Sequence, residues 1–126
     1  MITAVSPAEL LSNLAQFSGT EAYHRLSPLH GKLVVTDGVK YLADAAGAYW
    51  LIDIIASYQI HLGKYPFQVW ALTKTKTGGC VVRCTDGNNV RIKSQRVGYT
   101  DFPLETISIW VESSGTTLVA LLPGEH

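Results

Sequence analysis

Asp37-Gly38-Val39-Lys40-Tyr41-Leu42-Ala43-Asp44-Ala45-Ala46-Gly47-Ala48-Tyr49-Trp50-Leu51-Ile52-Asp53-Ile54-Ile55-Ala56-Ser57 is the stretch on which the reading of the fold turns. Asp37-Gly38 breaks the β-branched run Leu33-Val34-Val35-Thr36, which reads as a short strand. Thr36 or Asp37 can N-cap a helix over 39–45. Gly47 ends or bends that helix, and a second follows over about 48–59. The second helix carries Trp50, Leu51, Ile52, Ile54, Ile55, Ala56 and Tyr58, apolar nearly all round, which predicts burial on most sides. Its polar residues Tyr49, Asp53 and Ser57 recur at i, i+4 and i+8, so they share one face and can bond one another or a common partner.

Toward the N-terminus, Ser6-Pro7-Ala8-Glu9 forms a capping box with proline at the first helical position. Leu10, Leu11, Leu14 and Phe17 then recur at helical spacing and predict a helix over 7–17. Residues 18–31, punctuated by Gly19, Pro28 and Gly31, read as loop with at most one helical turn over 20–24. Downstream the chain is β-rich. Strands are predicted over 67–75, 80–85, 90–97, 105–112 and 116–122, with Asp86-Gly87-Asn88-Asn89 turning a hairpin and residues 98–103 forming a longer corner. Short turns join antiparallel neighbours. The expected fold is therefore α+β, a single domain over 1–126. An antiparallel sheet of about five strands, its last four in a C-terminal meander, is covered on one face by the N-terminal helix and the central apolar helix.

At 126 residues the chain is long enough for one ordinary core. Its 47% hydrophobic and 16% charged content excludes a disordered chain. The formal charge of +0 excludes a global pull toward nucleic acid or anionic membrane. Met1-Ile2-Thr3-Ala4-Val5 lacks the basic and apolar regions of an export signal. No apolar run reaches the roughly 18–20 residues of a membrane span. Two cysteines without an export signal are expected as free thiols in a reducing cytoplasm.

Several residues are candidates for chemistry or contact. Asp53 stands out first, because a carboxylate on an apolar helix must be paired, hydrogen-bonded or raised in pKa. It acts as a base or ligand contact, or it anchors a rim with Tyr49 and Ser57. Tyr23, His24 and Arg25 in the first loop, and Asp101 in the 98–103 corner, mix aromatic and ionisable side chains where binding residues often sit. Asp101 can instead cap its own turn. Trp70 and Trp110 exceed what a small core needs and are candidate partner contacts. His24, His30, His61 and His126 show no metal-ligand spacing, so no metal site is expected. Cys80 and Cys84, about 13 Å apart along one strand face, are too far apart for a disulfide and read as core. Arg83, Arg91 and Lys93 are expected on the hairpin face opposite Cys80, Val82 and Cys84, where a single-stranded nucleic acid can dock.

The segments Gln16-Phe17-Ser18-Gly19-Thr20-Glu21, Asp37-Gly38-Val39-Lys40-Tyr41-Leu42-Ala43, Gly47-Ala48-Tyr49-Trp50-Leu51-Ile52-Asp53, Phe67-Gln68-Val69-Trp70 and Tyr99-Thr100-Asp101-Phe102-Pro103-Leu104 span most of the chain. Together they resemble a small family of uncharacterised bacterial and phage proteins. The resemblance implies a bacterial or mobile-element origin and a cytoplasmic site of action, and it carries no catalytic residue set. No phosphate loop, dinucleotide fingerprint or nucleophile elbow is present. The expectation is a non-enzymatic binding module with no catalytic residues and no cofactor, meeting an unknown protein partner or a second copy in a homodimer, and no membrane. The alternatives are a small-ligand binder or enzyme built on Asp53, Tyr49 and His24, and a single-stranded nucleic-acid binder using the 80–96 hairpin face.

Overall fold

A computed structural model describes residues 5–114 and 116–126. Among them are helices α1 (Pro7–Leu14), α2 (Asp37–Ala46) and α3 (Tyr49–Leu62), and strands β1 (Leu33–Val35), β2 (Phe67–Lys74), β3 (Cys80–Thr85), β4 (Arg91–Val97), β5 (Thr106–Ser113) and β6 (Leu118–Leu121). A 3-10 turn, Pro123–Glu125, follows β6. No described helix is long and apolar enough to cross a membrane.

The helix ends follow their local chemistry. Ser6 accepts from the Glu9 N–H at 3.1 Å and starts α1. The helix stops at Leu14, short of the predicted 17, because Gln16 and Phe17 close tighter turns onto Asn13 and Leu14. Phe17 then packs its ring on Tyr41 of α2, 5.6 Å between centroids. The Thr36 hydroxyl caps α2, and Gly47, at φ 61°, ends it in the left-handed conformation that glycine adopts without strain. The 20–24 segment is extended rather than helical: His24 pairs with Val35 along the outer edge of β1.

The α+β class stands, but the sheet differs from the expectation. It has six strands in the order β1-β6-β5-β2-β3-β4, and it is mixed, since β1 pairs with β6 in parallel. Only β2, β3 and β4 form a meander. The chain then leaves the β4 edge, and β5 pairs with the other side of β2. The corner over 98–105 makes this crossing possible. Phe102 and Leu104 are buried in it, and the Thr100 N–H reaches the Gly78 carbonyl at 2.9 Å. β1 and β2 run in the same direction, so α2 and α3 serve as the crossover between them, as parallel strands require.

The helices lie on one sheet face. The side chains of that face, including Leu33, Val35, Leu72, Val82, Cys84, Ile109, Val111 and Ala120, join Leu10, Val39, Leu42, Leu51, Ile52 and Ile55 in one core. α3 is less buried than its composition predicts. Leu51, Ile52, Ile55, Ala56, Gln59 and Leu62 form its buried stripe, whereas Ile60 is 74% exposed and Asp53 only half-buried. The helix runs past the predicted 59 because Gln59 is itself buried. Its amide and that of Gln68 on β2 exchange two hydrogen bonds of 2.9 Å. Gln59 also donates to the Ile55 carbonyl, Gln68 to the Leu62 carbonyl, and the Trp70 indole N–H to the Gln68 oxygen. Every amide hydrogen of the pair is thus used.

Removing one partner of a buried hydrogen bond costs about 1–3 kcal/mol. Gln68→Ala is therefore expected to lose more stability in urea titration than Gln59→Ala, because it also strands the Trp70 indole, while the Leu62 carbonyl keeps the Tyr65 N–H. Equal losses would contradict this hierarchy.

Candidate functional site

Three polar clusters lie on the helix side of the molecule. The first locks the N-terminus of α2. His24 donates through Nε2 to Asp37 Oδ1 at 2.8 Å, the Glu21 N–H donates to Asp37 Oδ2, and the Asp37 N–H donates to the Thr20 hydroxyl. The imidazole beside Asp37, followed by the Glu21 N–H, holds that carboxyl below its ordinary value. No hydroxyl or thiol bonds His24 among the described residues, and the Thr20 hydroxyl is spent on the Ala22 carbonyl. A carboxylate–imidazole pair without a nucleophile pins the 20–24 segment to the helix; it does not make a triad.

The second cluster is the Glu125 carboxylate at the same helix end. It accepts from the Thr36 hydroxyl at 2.6 Å, the Gly38 N–H at 3.1 Å and the Leu122 N–H at 3.0 Å. A Cβ on Gly38 would lie 2.6 Å from Glu125 Oε1, so only glycine admits this approach. An anionic side chain on the free N–H groups of a helix start complements their partial positive charge.

The third cluster joins Lys40, Asp44 and Tyr49. Asp44 takes the Tyr49 hydroxyl and, at 3.0 Å, the Lys40 ammonium. The Tyr49 hydrogen bond lowers the Asp44 pKa, while the same bond raises that of Tyr49. A depression of about 480 Å³, lined by Val5, Tyr41, Asp44, Gly47 and Tyr49 among others, opens beside them.

The residues expected to form a ligand site are therefore dispersed. Tyr49 serves Asp44, His24 serves Asp37, and no hydrogen bond joins Asp53 to Tyr49 or Ser57, whose hydroxyl turns back to the Ile54 carbonyl. Arg25 bonds the Gly31 carbonyl within its own loop. Asp101 is exposed, and Thr100, rather than Asp101, caps the corner by accepting from the Phe102 N–H. Trp70 is buried against Tyr58, 5.7 Å between rings, which removes it from the partner-contact candidates. Among the described residues no group of three metal-ligating side chains converges.

The opposite sheet face has another character. It carries none of the three helices. Register places its side chains in rows across the strands: Val34, Val119, Glu112 and Phe67, then Leu121, Trp110, Val69, Thr85 and Arg91. Ser108, Ala71, Arg83 and Ser94 make a third row, and Thr106, Thr73, Val81 and Arg96 a fourth. Val34, Phe67, Val69, Ala71, Val81, Trp110 and Val119 are all only half-buried. Trp110 meets Phe67 edge-on at 5.2 Å and His126 at 5.3 Å, and His126 Nε2 lies 2.5 Å from Glu112 Oε1. Tyr23, 61% exposed, closes one end of the face against Val34 and Val119.

The basic residues of the hairpin do not share a face as alternation predicts. The ladder slips between Cys84 and Thr85, so Lys93 pairs with Cys84 and points to the helix side, while Arg91 pairs with Thr85 on the open side. Such a bulge opposes two residues to one and shifts the alternation. Arg96, absent from the expected set, joins Arg83 and Arg91 in place of Lys93. The signal for the open face was nevertheless present: Phe67-Gln68-Val69-Trp70-Ala71 and Leu118-Val119-Ala120-Leu121 put apolar residues on both sides of their strands.

A model of DUF6876, a family of unknown function, matches residues 8–126. The resemblance to a family without an assigned activity is thereby borne out. No curated protein and no solved structure matches the chain.

Two outcomes follow from the titrating groups. Asp37 and Asp44 have folded pKa values below the unfolded value of about 3.9, so their stabilisation is complete above that value and is lost as pH falls through the folded values. Urea midpoints are expected to drop below pH about 4, less steeply in Asp37→Asn; a profile unchanged by that substitution would contradict the assignment. Burial raises the pKa of Cys80 and pushes that of Cys84 up to about 12, so both thiols should resist Ellman's reagent in the folded protein and react in urea.

Proposed function

Since this chain belongs to DUF6876, a family of unknown function, its own surface has to supply the argument, and we propose a non-enzymatic binding module that takes a protein partner on the uncovered face of its sheet. One observation carries the reading: apolar side chains from Val34 through Val119, Trp110 and Val69 to Ala71 are left half-buried on a face without a helix. A monomeric protein rarely leaves a contiguous apolar patch of this kind without using it. Trp110 at its centre is the residue type that anchors interfaces most often. Tyr23 at the rim belongs to the same surface.

The rival reading of an enzyme or small-ligand binder on Asp53, Tyr49 and His24 loses its motivation, because each of those side chains serves a separate local structure or none. The two buried free cysteines fit a reducing, cytoplasmic setting, and the bacterial or phage origin implied by the resemblance points to where partners are sought. A second copy of the chain is the simplest alternative occupant of the face.

Affinity purification from the native host should recover a protein with the unaltered chain and lose it by about tenfold or more with Val69→Glu/Val119→Glu, since burying an unpaired carboxylate in an apolar contact is costly. Recovery unaffected by the double variant, with its fold checked by circular dichroism, would sink the reading. Light scattering of the pure protein separates the two occupants: a dimer abolished by the same double variant makes the partner a second copy.

A further inference from the structure

We infer that the occupant of this face is an acidic protein segment, apolar at one end and carboxylate-bearing at the other, which is clamped by Arg83, Arg91 and Arg96. The inference rests on the reading of the open sheet face as a docking surface and names the chemistry of what docks there.

The three arginines gather at one end of the face. Arg83 on β3 stands opposite Ser94, and Arg91 and Arg96 flank Ser94 on β4. Diagonal neighbours in an antiparallel pair lie about 7–8 Å apart, within reach of long side chains, and like charges so placed repel. All three are exposed. No guanidinium of the three makes a hydrogen bond or an ion pair among the described residues; the ion pairs found there join His24 to Asp37, Lys40 to Asp44 and His126 to Glu112. The chain carries ten acidic residues to its ten basic ones, so carboxylates are in supply, yet none among the described residues forms an ion pair with these arginines. Charges on β4 alone would have a simpler account, because an edge strand is protected from pairing by cationic side chains. Arg83 lies on an interior strand, where that account does not reach.

The bulge makes the cluster. Without it Arg91 and Arg96 would point to opposite sides of β4; with it both join Arg83. The guanidinium fork suits bidentate pairing with carboxylate or phosphate. The remainder of the face decides between these. It is largely aliphatic, with Val34, Val119, Val69, Ala71 and Val81; Phe67 and Trp110 are turned edge-on to one another rather than presented flat for base stacking, and Tyr23 lies at the far rim beside Val34 and Val119. The net charge of +0 supplies no long-range pull on a polyanion. A protein segment matches both halves of the surface. The six strands make five inter-strand steps, about 24 Å, which an extended segment of about seven residues crosses.

A displayed library of random segments, each about 20 residues long, selected on the intact immobilised protein, tests this. Expected are segments in which an apolar run is followed by Asp and Glu, binding at least about tenfold more weakly to Arg83→Glu/Arg96→Glu and weakening further with added salt. The same selection on Arg83→Glu/Arg91→Glu/Arg96→Glu should enrich Lys and Arg instead. Segments that need Val69 and Val119 but show no acidic bias would overturn the inference while leaving the docking surface standing. Selection of nothing dependent on the face would overturn both. An oligothymidylate of about 20 nucleotides that binds through the three arginines when no peptide does would replace the protein segment with a nucleic acid.

Discussion

The amide pair between Gln59 and Gln68 is the constraint to which the rest of the architecture answers. Two side chains that would ordinarily seek water are fully buried, and they tie the last turn of α3 to the start of β2 across the short connection 63–66. Gln68 also donates to the Leu62 carbonyl at the end of the helix, which it shares with the Tyr65 N–H. A hydrophobic contact in that place would tolerate sliding; a reciprocal amide pair with a third bond from the Trp70 indole does not. It sets which turn of α3 faces the sheet and thereby which stripe of the helix is buried. Asp53 falls outside that stripe for this reason, and its place among apolar neighbours in the sequence has no counterpart in a buried carboxylate.

With α3 held against one face, the crossover from β1 to β2 is committed to that side, and α2 follows it. The N-terminus of α2 is then secured from two directions, by the 20–24 segment through His24 and Asp37 and by the turn after β6 through Glu125. Both ties are made by ionisable residues, and both look like chemistry in a residue list. Their partners are backbone N–H groups, a hydroxyl and one imidazole, so they join segments far apart in the chain rather than present a reactive group. The first of those segments is otherwise tied to the sheet by the single bridge of His24 with Val35.

Local structure was legible wherever it depends on neighbours in sequence. Ser6, Thr36 and Gly47 mark helix ends by capping chemistry, and the strands after residue 66 show in their alternation and turns. The order of those strands was not legible, because nothing local distinguishes a corner that returns to the adjacent edge from one that crosses to the far side of β2. Phe102 and Leu104 decide it by being buried at the sheet end, a tertiary fact. The parallel pairing of β1 with β6 was hidden for the same reason: the partners lie 85 positions apart, Leu33 opposite Leu118. Burial of Gln59 was opposed by its polarity, and the grouping of Arg83 with Arg91 and Arg96 was concealed by a single slipped residue in an otherwise regular ladder.

That slip bears on how such a surface arises. A strand that alternates strictly presents every second residue, and Arg91, Lys93 and Gln95 would then share a side. The bulge instead parts Arg91 from Lys93 and Gln95, which stay on the helix side, where Gln95 accepts from the Tyr58 hydroxyl at 2.8 Å. The hydrogen bond from α3 thus holds the second half of β4 in the shifted register, while the turn over 86–90 holds the first half through the Asp86 carboxylate, which accepts from the Asn88 and Val90 N–H groups. Arg91 and Arg96 are consequently fixed by two different elements, one on each side of the bulge. Their convergence on Arg83 is a product of the whole fold, so the charged end of the open face is only as well ordered as the packing of α3 on the other side of the sheet.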